Sequence, residues 1–127
     1  MQDKYLYEYA VIRVVPRVER EEFLNVGIIL YCSKQGFLEA KIQVNQERFE
    51  AFSPKIENEE LQQYLKTWER ICKGGKEGGS IGMLPIASRF RWLTATRSTV
   101  VQTSKVHPGF CDSPLETLEC LFQALVL

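Results

Sequence analysis

Apolar, aromatic and β-branched residues crowd Tyr5 to Val15 without clean alternation. That pattern predicts a long strand covered on both faces and stopped by Pro16. Val18 to Leu24 (VEREEFL) reads as a short helical turn on the way to the next strand. Gly27 to Cys32 is a continuous apolar run, the mark of a central strand. Ser33-Lys34-Gln35-Gly36 supplies a turn, and Phe37 to Val44 then alternates. Leu38, Ala40, Ile42 and Val44 face inward while Glu39, Lys41 and Gln43 face water, which completes a hairpin.

Helical periodicity follows. Asn45 stands as the N-cap of a short helix, Gln46 to Phe52, with Val44 and Phe49 placed as a hydrophobic staple. Pro54 stops it. Asn58 caps a longer helix whose Leu61, Tyr64, Leu65, Trp68, Ile71 and Cys72 form one apolar stripe. Glu59 and Glu60 occupy its first turn, where the macrodipole favours negative charge. The glycine-rich segment Gly74 to Gly79 breaks the pattern, and an ambiguous turn around Ile81 to Ile86 leads to two predicted strands, Arg89 to Ala95 and Ser98 to Ser104.

The last helix has the strongest local signal. Ser113 at the N-cap, Pro114 at the first helical position and Glu116 at N3 make a capping box. Leu115, Leu118, Leu121, Phe122, Leu125 and Val126 are its expected buried face. The element order suits a single α+β domain over residues 1–127, a mostly antiparallel sheet of about five strands with helices packed on one side.

Composition narrows the class. The chain is 45% hydrophobic and 25% charged, which excludes disorder. Its 127 residues allow one core without a disulfide or metal staple. Sixteen basic and sixteen acidic side chains cancel, so no global field draws it to nucleic acid or membrane. Neither a secretory leader nor an apolar run near the ~20 residues of a membrane span is visible, which points to a soluble cytoplasmic protein. Cys32, Cys72, Cys111 and Cys120 include no C-x-x-C pair, and Cys72 and Cys120 fall on predicted apolar helix faces. Reduced thiols packed as small hydrophobes are expected. With a single histidine, no metal site and no cofactor are expected.

Charge distribution supplies the candidate chemistry. No Asp or Glu occurs between Glu77 and Asp112, while that window holds Arg89, Arg91, Arg97, Lys105, His107 and eight hydroxyl side chains. In a strand, Arg89 and Arg91 would share one face, and two guanidiniums in register with hydroxyl donors can bind a phosphate or carboxylate bidentately. The competing reading is a solvated face whose arginines pair with Glu19, Glu21 or Glu22.

Other motifs are weaker. Gly74 to Gly79 lacks the Walker ending and follows a helix, so its glycines are expected to terminate that helix rather than cradle phosphate. His107 and Cys111 are four apart, but Pro108 and Gly109 between them predict a turn, and a structural thiol is favoured over a Cys–His nucleophile. Glu21-Glu22 and Glu59-Glu60 are solvated helix surface. Asn25-Val26-Gly27 marks a turn or bulge at a strand entrance, with Asn25 a further candidate beside the arginines.

Three segments, YEYAVIRVVPRVEREEFLNVGIIL, RFRWLTATRSTVVQTSKVHPGFC and SPLETLECLFQAL, together resemble a small bacterial family of unknown function, DUF3037. The resemblance covers nearly the whole chain and carries no established activity. It implies a genomic neighbourhood with HipA-like serine/threonine kinases, and hence a partner or regulator in a toxin–antitoxin-like pair. Its RFRWLTA-x-RST-x-x-Q-T-S block falls on the acid-free window. The expected anion or partner site is therefore Arg89, Arg91, Arg97, Ser98, Thr99, Gln102 and Ser104, with Asn25 and His107 as outlying members; no catalytic residue is assigned.

Three functions compete. The first is a non-enzymatic interaction protein binding a kinase-like partner through the face of Arg89, Arg91 and Arg97. The second is a small module for a phosphate-bearing ligand or nucleic acid using the same arginines, with Tyr5, Tyr7 and Tyr9 stacking bases if exposed. The third is a hydrolase using Cys111 or Ser98. Oligomeric state is open.

Overall fold

The computed structural model describes residues 4–15, 23–52, 58–95 and 101–127, with the backbone alone at 52 and 58. Its strands are β1 (Tyr5–Val14), β2 (Leu24–Cys32), β3 (Phe37–Ile42), β4 (Val101–Thr103) and β5 (His107–Cys111). The helices are α1 (Gln46–Phe52), α2 (Asn58–Lys73), α3 (Gly79–Gly82), α4 (Ile86–Leu93) and α5 (Pro114–Leu125). The strands form one antiparallel sheet in the order β3-β2-β1, with β4 and β5 sharing the far side of β1. β4 pairs with Ile12 to Val14 and β5 with Tyr5 to Tyr9. The α+β class and the five-stranded antiparallel sheet are those the periodicity predicts.

The expectation of helices on one side is corrected. Ala10, Ile12 and Val14 of β1 join Phe49, Leu61, Leu65, Trp68, Phe90 and Leu93 of α1, α2 and α4 in one core. Val11, Ile28, Leu30 and Cys32 join Leu118, Phe122 and Val126, so α5 lies on the opposite face. Strands apolar on both sides require cover on both sides. Lys41, expected to face water, instead pairs with Glu119 of α5 and lies 4.8 Å from the centre of the Phe122 ring.

A bulge breaks the alternation of β2. Ile12 pairs with Gly27 and Arg13 with Asn25, so Val26 is the extra residue. Val26 and Ile29, three apart, consequently reach the same core.

Local signals at helix ends hold. Asn45 Oδ1 accepts from the Arg48 amide at 3.1 Å, and Ser113 Oγ accepts from the Glu116 amide at 3.3 Å. Both apolar faces are narrower than expected: Tyr64 is 48% and Leu115 53% exposed, and Leu125 and Cys120 are exposed too. The expected cap at Asn58 and most of the turn at Val18 to Leu24 lie outside the described side chains, while Leu24 opens β2.

The largest correction is at 89–95. The segment alternates like a strand, yet its first five residues belong to α4, where Phe90 and Leu93 are buried one helical turn apart. Its place in the strand count is taken by β5, which runs through Pro108 and Gly109, where a turn was expected. β5 is an edge strand, so the missing amide of Pro108 is tolerated. Gly109 is required because the Tyr7 hydroxyl lies 2.5 Å from where a Cβ would stand.

Candidate functional site

The helical geometry of α4 separates the two arginines that a strand would have aligned. Two residues apart on a helix, they point to different sides. Arg89 Nη1 donates to the carbonyls of Ile71 at 2.8 Å and Cys72 at 2.7 Å, and Nε donates to that of Leu84 at 3.1 Å. The first two are last-turn carbonyls of α2, which no further helical amide can satisfy. A cation there also complements the negative end of the helix dipole. Gly74, at φ +81°, ends the helix beside this guanidinium; a Cβ there would stand 2.9 Å from Arg89 Nη1.

Arg91 turns the other way. Its Nη2 donates to both carboxylate oxygens of Glu8 on β1, at 2.9 and 2.8 Å. The acid comes from the first strand, while Glu19, Glu21 and Glu22 lie outside the described residues.

The remaining candidates are scattered. Ser104 is buried at the break between β4 and β5, where its Oγ accepts from the Val11 amide at 2.8 Å and donates to the Lys105 carbonyl at 2.9 Å. Asn25 Nδ2 donates to the Leu125 carbonyl at 3.1 Å, closing the end of α5 as Arg89 closes α2. Gln102 is half-buried on β4, opposite Arg13. His107 is exposed on β5, its ring 5.3 Å from that of Tyr9. Arg97, Ser98 and Thr99 lie outside the described residues. Arg89 and Arg91 thus do not converge on one anion, and Asn25 and Ser104 sit apart from both.

The thiol geometry is equally informative. His107 and Cys111 stand at opposite ends of β5, about 13 Å apart at the rise of a strand. Cys111 is buried, and burial pushes its thiol above the ordinary value against an opposing hydrogen bond from Thr117. Burial raises Cys72 further, to about 12. Tyr7 is also raised, by burial first and then by neighbouring Tyr9 and Cys111. Tyr5, Tyr7 and Tyr9 are half-buried against the α5-side core, which withdraws them as a base-stacking platform.

Two features escaped the charge count. Leu6 and Phe110, directly opposite on β1 and β5, are 52% and 68% exposed. They share the face of β1 that carries Glu8, and Arg91 reaches over to it. The second is Arg13, the one charged residue within Tyr9 to Val15, half-buried with its guanidinium carbon 4.0 Å from the centre of the Phe23 ring. A charge inside an apolar run was the available signal for it.

Among the described residues, no helix is long and apolar enough to cross a membrane. No curated protein and no solved structure matches the chain. The model of a family described as proteins of unknown function, DUF3037, matches residues 9–126, nearly all of the sheet and helices described above, and the chain belongs to that family.

Proposed function

We propose that this chain is a non-enzymatic cytoplasmic interaction protein that binds a protein partner at the β1–β5 end of its sheet. The observation that carries this reading is the exposed cross-strand pair Leu6–Phe110, on the face of β1 and β5 opposite α5. Large apolar side chains exposed side by side, bordered by an Arg–Glu pair, have the make-up of an interface hot spot. This replaces the arginine face as the docking surface, because Arg89 is engaged by the end of α2. The partner to test first is a HipA-like serine/threonine kinase from the same genome, the class implied by the resemblance.

The test is co-expression of that kinase with the wild-type chain and with Leu6→Glu/Phe110→Glu. The reading expects a complex that the double variant weakens about a hundredfold or more, as loss of two hot-spot contacts would. An undiminished complex, no complex, or a homodimer that alone disperses in the double variant would overturn it. A melting temperature near wild type shows that the variant is folded.

A further inference from the structure

The two ends of the sheet are finished differently. On the β5 side, the amide and carbonyl of Val11 face Ser104, so those of Tyr5, Tyr7 and Tyr9 face β5. Cys111, Gly109 and His107 stand opposite these three, which turns the backbone of Pro108 and Phe110 outward. Pro108 offers no amide there, a common guard on an exposed edge. β3, at the other end of the sheet, has no such guard: Phe37–Ile42 contains neither proline nor glycine.

Parity fixes which groups that edge presents. The Gln43 amide donates to the Val26 carbonyl at 2.7 Å, so Gln43, Lys41, Glu39 and Phe37 direct their backbone groups to β2. Leu38, Ala40 and Ile42 direct theirs outward, where they meet no partner among the described residues. A cavity of about 270 Å³ lies beside this edge, between Leu38, Glu39 and Ala40 and the α2 residues Glu69, Cys72 and Lys73. The chain does not fill it.

The strand is complementary to itself. In an antiparallel pair, outward residues of one strand exchange bonds with outward residues of the other. With Ala40 opposite Ala40 of a second copy, Leu38 stands opposite Ile42 and Glu39 opposite Lys41, each twice by the two-fold. Every outward residue is then paired, and Glu39 and Lys41 fall where facing side chains come closest. The next permitted register on either side sets Glu39 against Glu39 or Lys41 against Lys41, which repulsion opposes. Glu39 is exposed and has no ion pair among the described residues, whereas Lys41 is already held by Glu119. We infer that β3 is a self-association edge, pairing antiparallel with β3 of a second copy to join the two sheets across a two-fold axis at Ala40. It lies at the opposite end of the sheet from the Leu6–Phe110 surface and is independent of it.

Sedimentation equilibrium of the whole protein from about 1 μM to about 1 mM reads the dimer, and amide hydrogen exchange at both extremes reads its register. The expected dissociation constant is at or below about 100 μM, that of a small interface. The Leu38, Ala40 and Ile42 amides should exchange freely when dilute and slowly when concentrated, while that of Phe110, outward on the opposite edge, stays unchanged. Glu39→Lys should weaken the dimer about tenfold or more, because two ion pairs become two repulsions. Lys41→Glu should do the same. An equimolar mixture of the two variants should regain about the wild-type strength, since each Lys then meets a Glu. The inference is overturned by a monomer throughout, by a dimer that leaves those three amides unprotected, or by protection already present in the dilute monomer, which would mean that another part of the chain covers the edge. Folded variants that do not rescue one another overturn it as well. The wild-type measurements decide even if a variant does not fold.

Discussion

Val11 and Ser104 exchange two hydrogen bonds: the Val11 amide donates to Ser104 Oγ at 2.8 Å, and the Ser104 amide donates to the Val11 carbonyl at 2.9 Å. A side-chain oxygen thus stands in for a carbonyl where β4 ends and β5 has yet to begin. Ser104→Ala leaves a buried amide without an acceptor and should cost about 1–3 kcal/mol. Urea unfolding checks this; a variant as stable as wild type would show that the splice relaxes around the loss.

Arg89 and Gly74 should behave as one unit. Arg89→Ala frees the Ile71 and Cys72 carbonyls, at a cost of about 1–3 kcal/mol. Gly74→Ala should lose a comparable amount, because it strains a positive φ and pushes the guanidinium aside. The double variant is expected to lose less than the sum of the two, read from a double-mutant cycle. Full additivity would mean that Gly74 acts through its backbone alone.

Stability should fall at alkaline pH. The folded chain holds the Cys72 proton up to about 12, whereas the unfolded chain releases it from its ordinary 9.0. Above about pH 9 the unfolded state therefore binds fewer protons, and folding weakens as pH rises; below it this effect is absent. One such thiol contributes a slope of about 1.4 kcal/mol per pH unit across that window. Cys111 and Tyr7, both raised, steepen the loss in the same direction. Unfolding measured across this range should show a shallower slope in Cys72→Ala, and an unchanged slope would rule out burial of that thiol as the cause.

Alkylation of the native protein near neutral pH should modify Cys120 first. It is exposed, whereas Cys32, Cys72 and Cys111 are buried. Burial raises the last two thiols and so thins their reactive thiolate. Peptide mass mapping should find those three labelled only on unfolding. Rapid labelling of Cys111 would restore it as a nucleophile candidate.

Much of the fold was legible because its signals are short-range. Asn45 and Arg48, or Ser113 and Glu116, meet across three residues and need no tertiary partner. The stripe of α2 and the hairpin of β2 and β3 were readable for the same reason. The α5 side was harder. The polar residues of β3 read as solvent-facing, while the continuous run of β2 already demanded cover on both faces. Arg89 to Leu93 misled because so short a segment fits either period, and burial of Phe90 and Leu93 against α2 and the sheet settles it as helix.

By itself the sequence determined the class, the antiparallel sheet and the starts of α1 and α5, which follow from residue type and near-neighbour spacing, and its resemblance gave the family. Only the tertiary structure decided what the polar side chains do. Arg89 finds its carbonyls 17 and 18 positions away, Arg91 its acid 83, Ser104 its amide 93 and Asn25 its carbonyl 100. A charge count along the chain sees a cation without an acid nearby, whereas folding supplies acceptors from helix ends and distant strands. For Arg13 Nε and Asn25 Oδ1 it leaves buried polar atoms without a hydrogen bond.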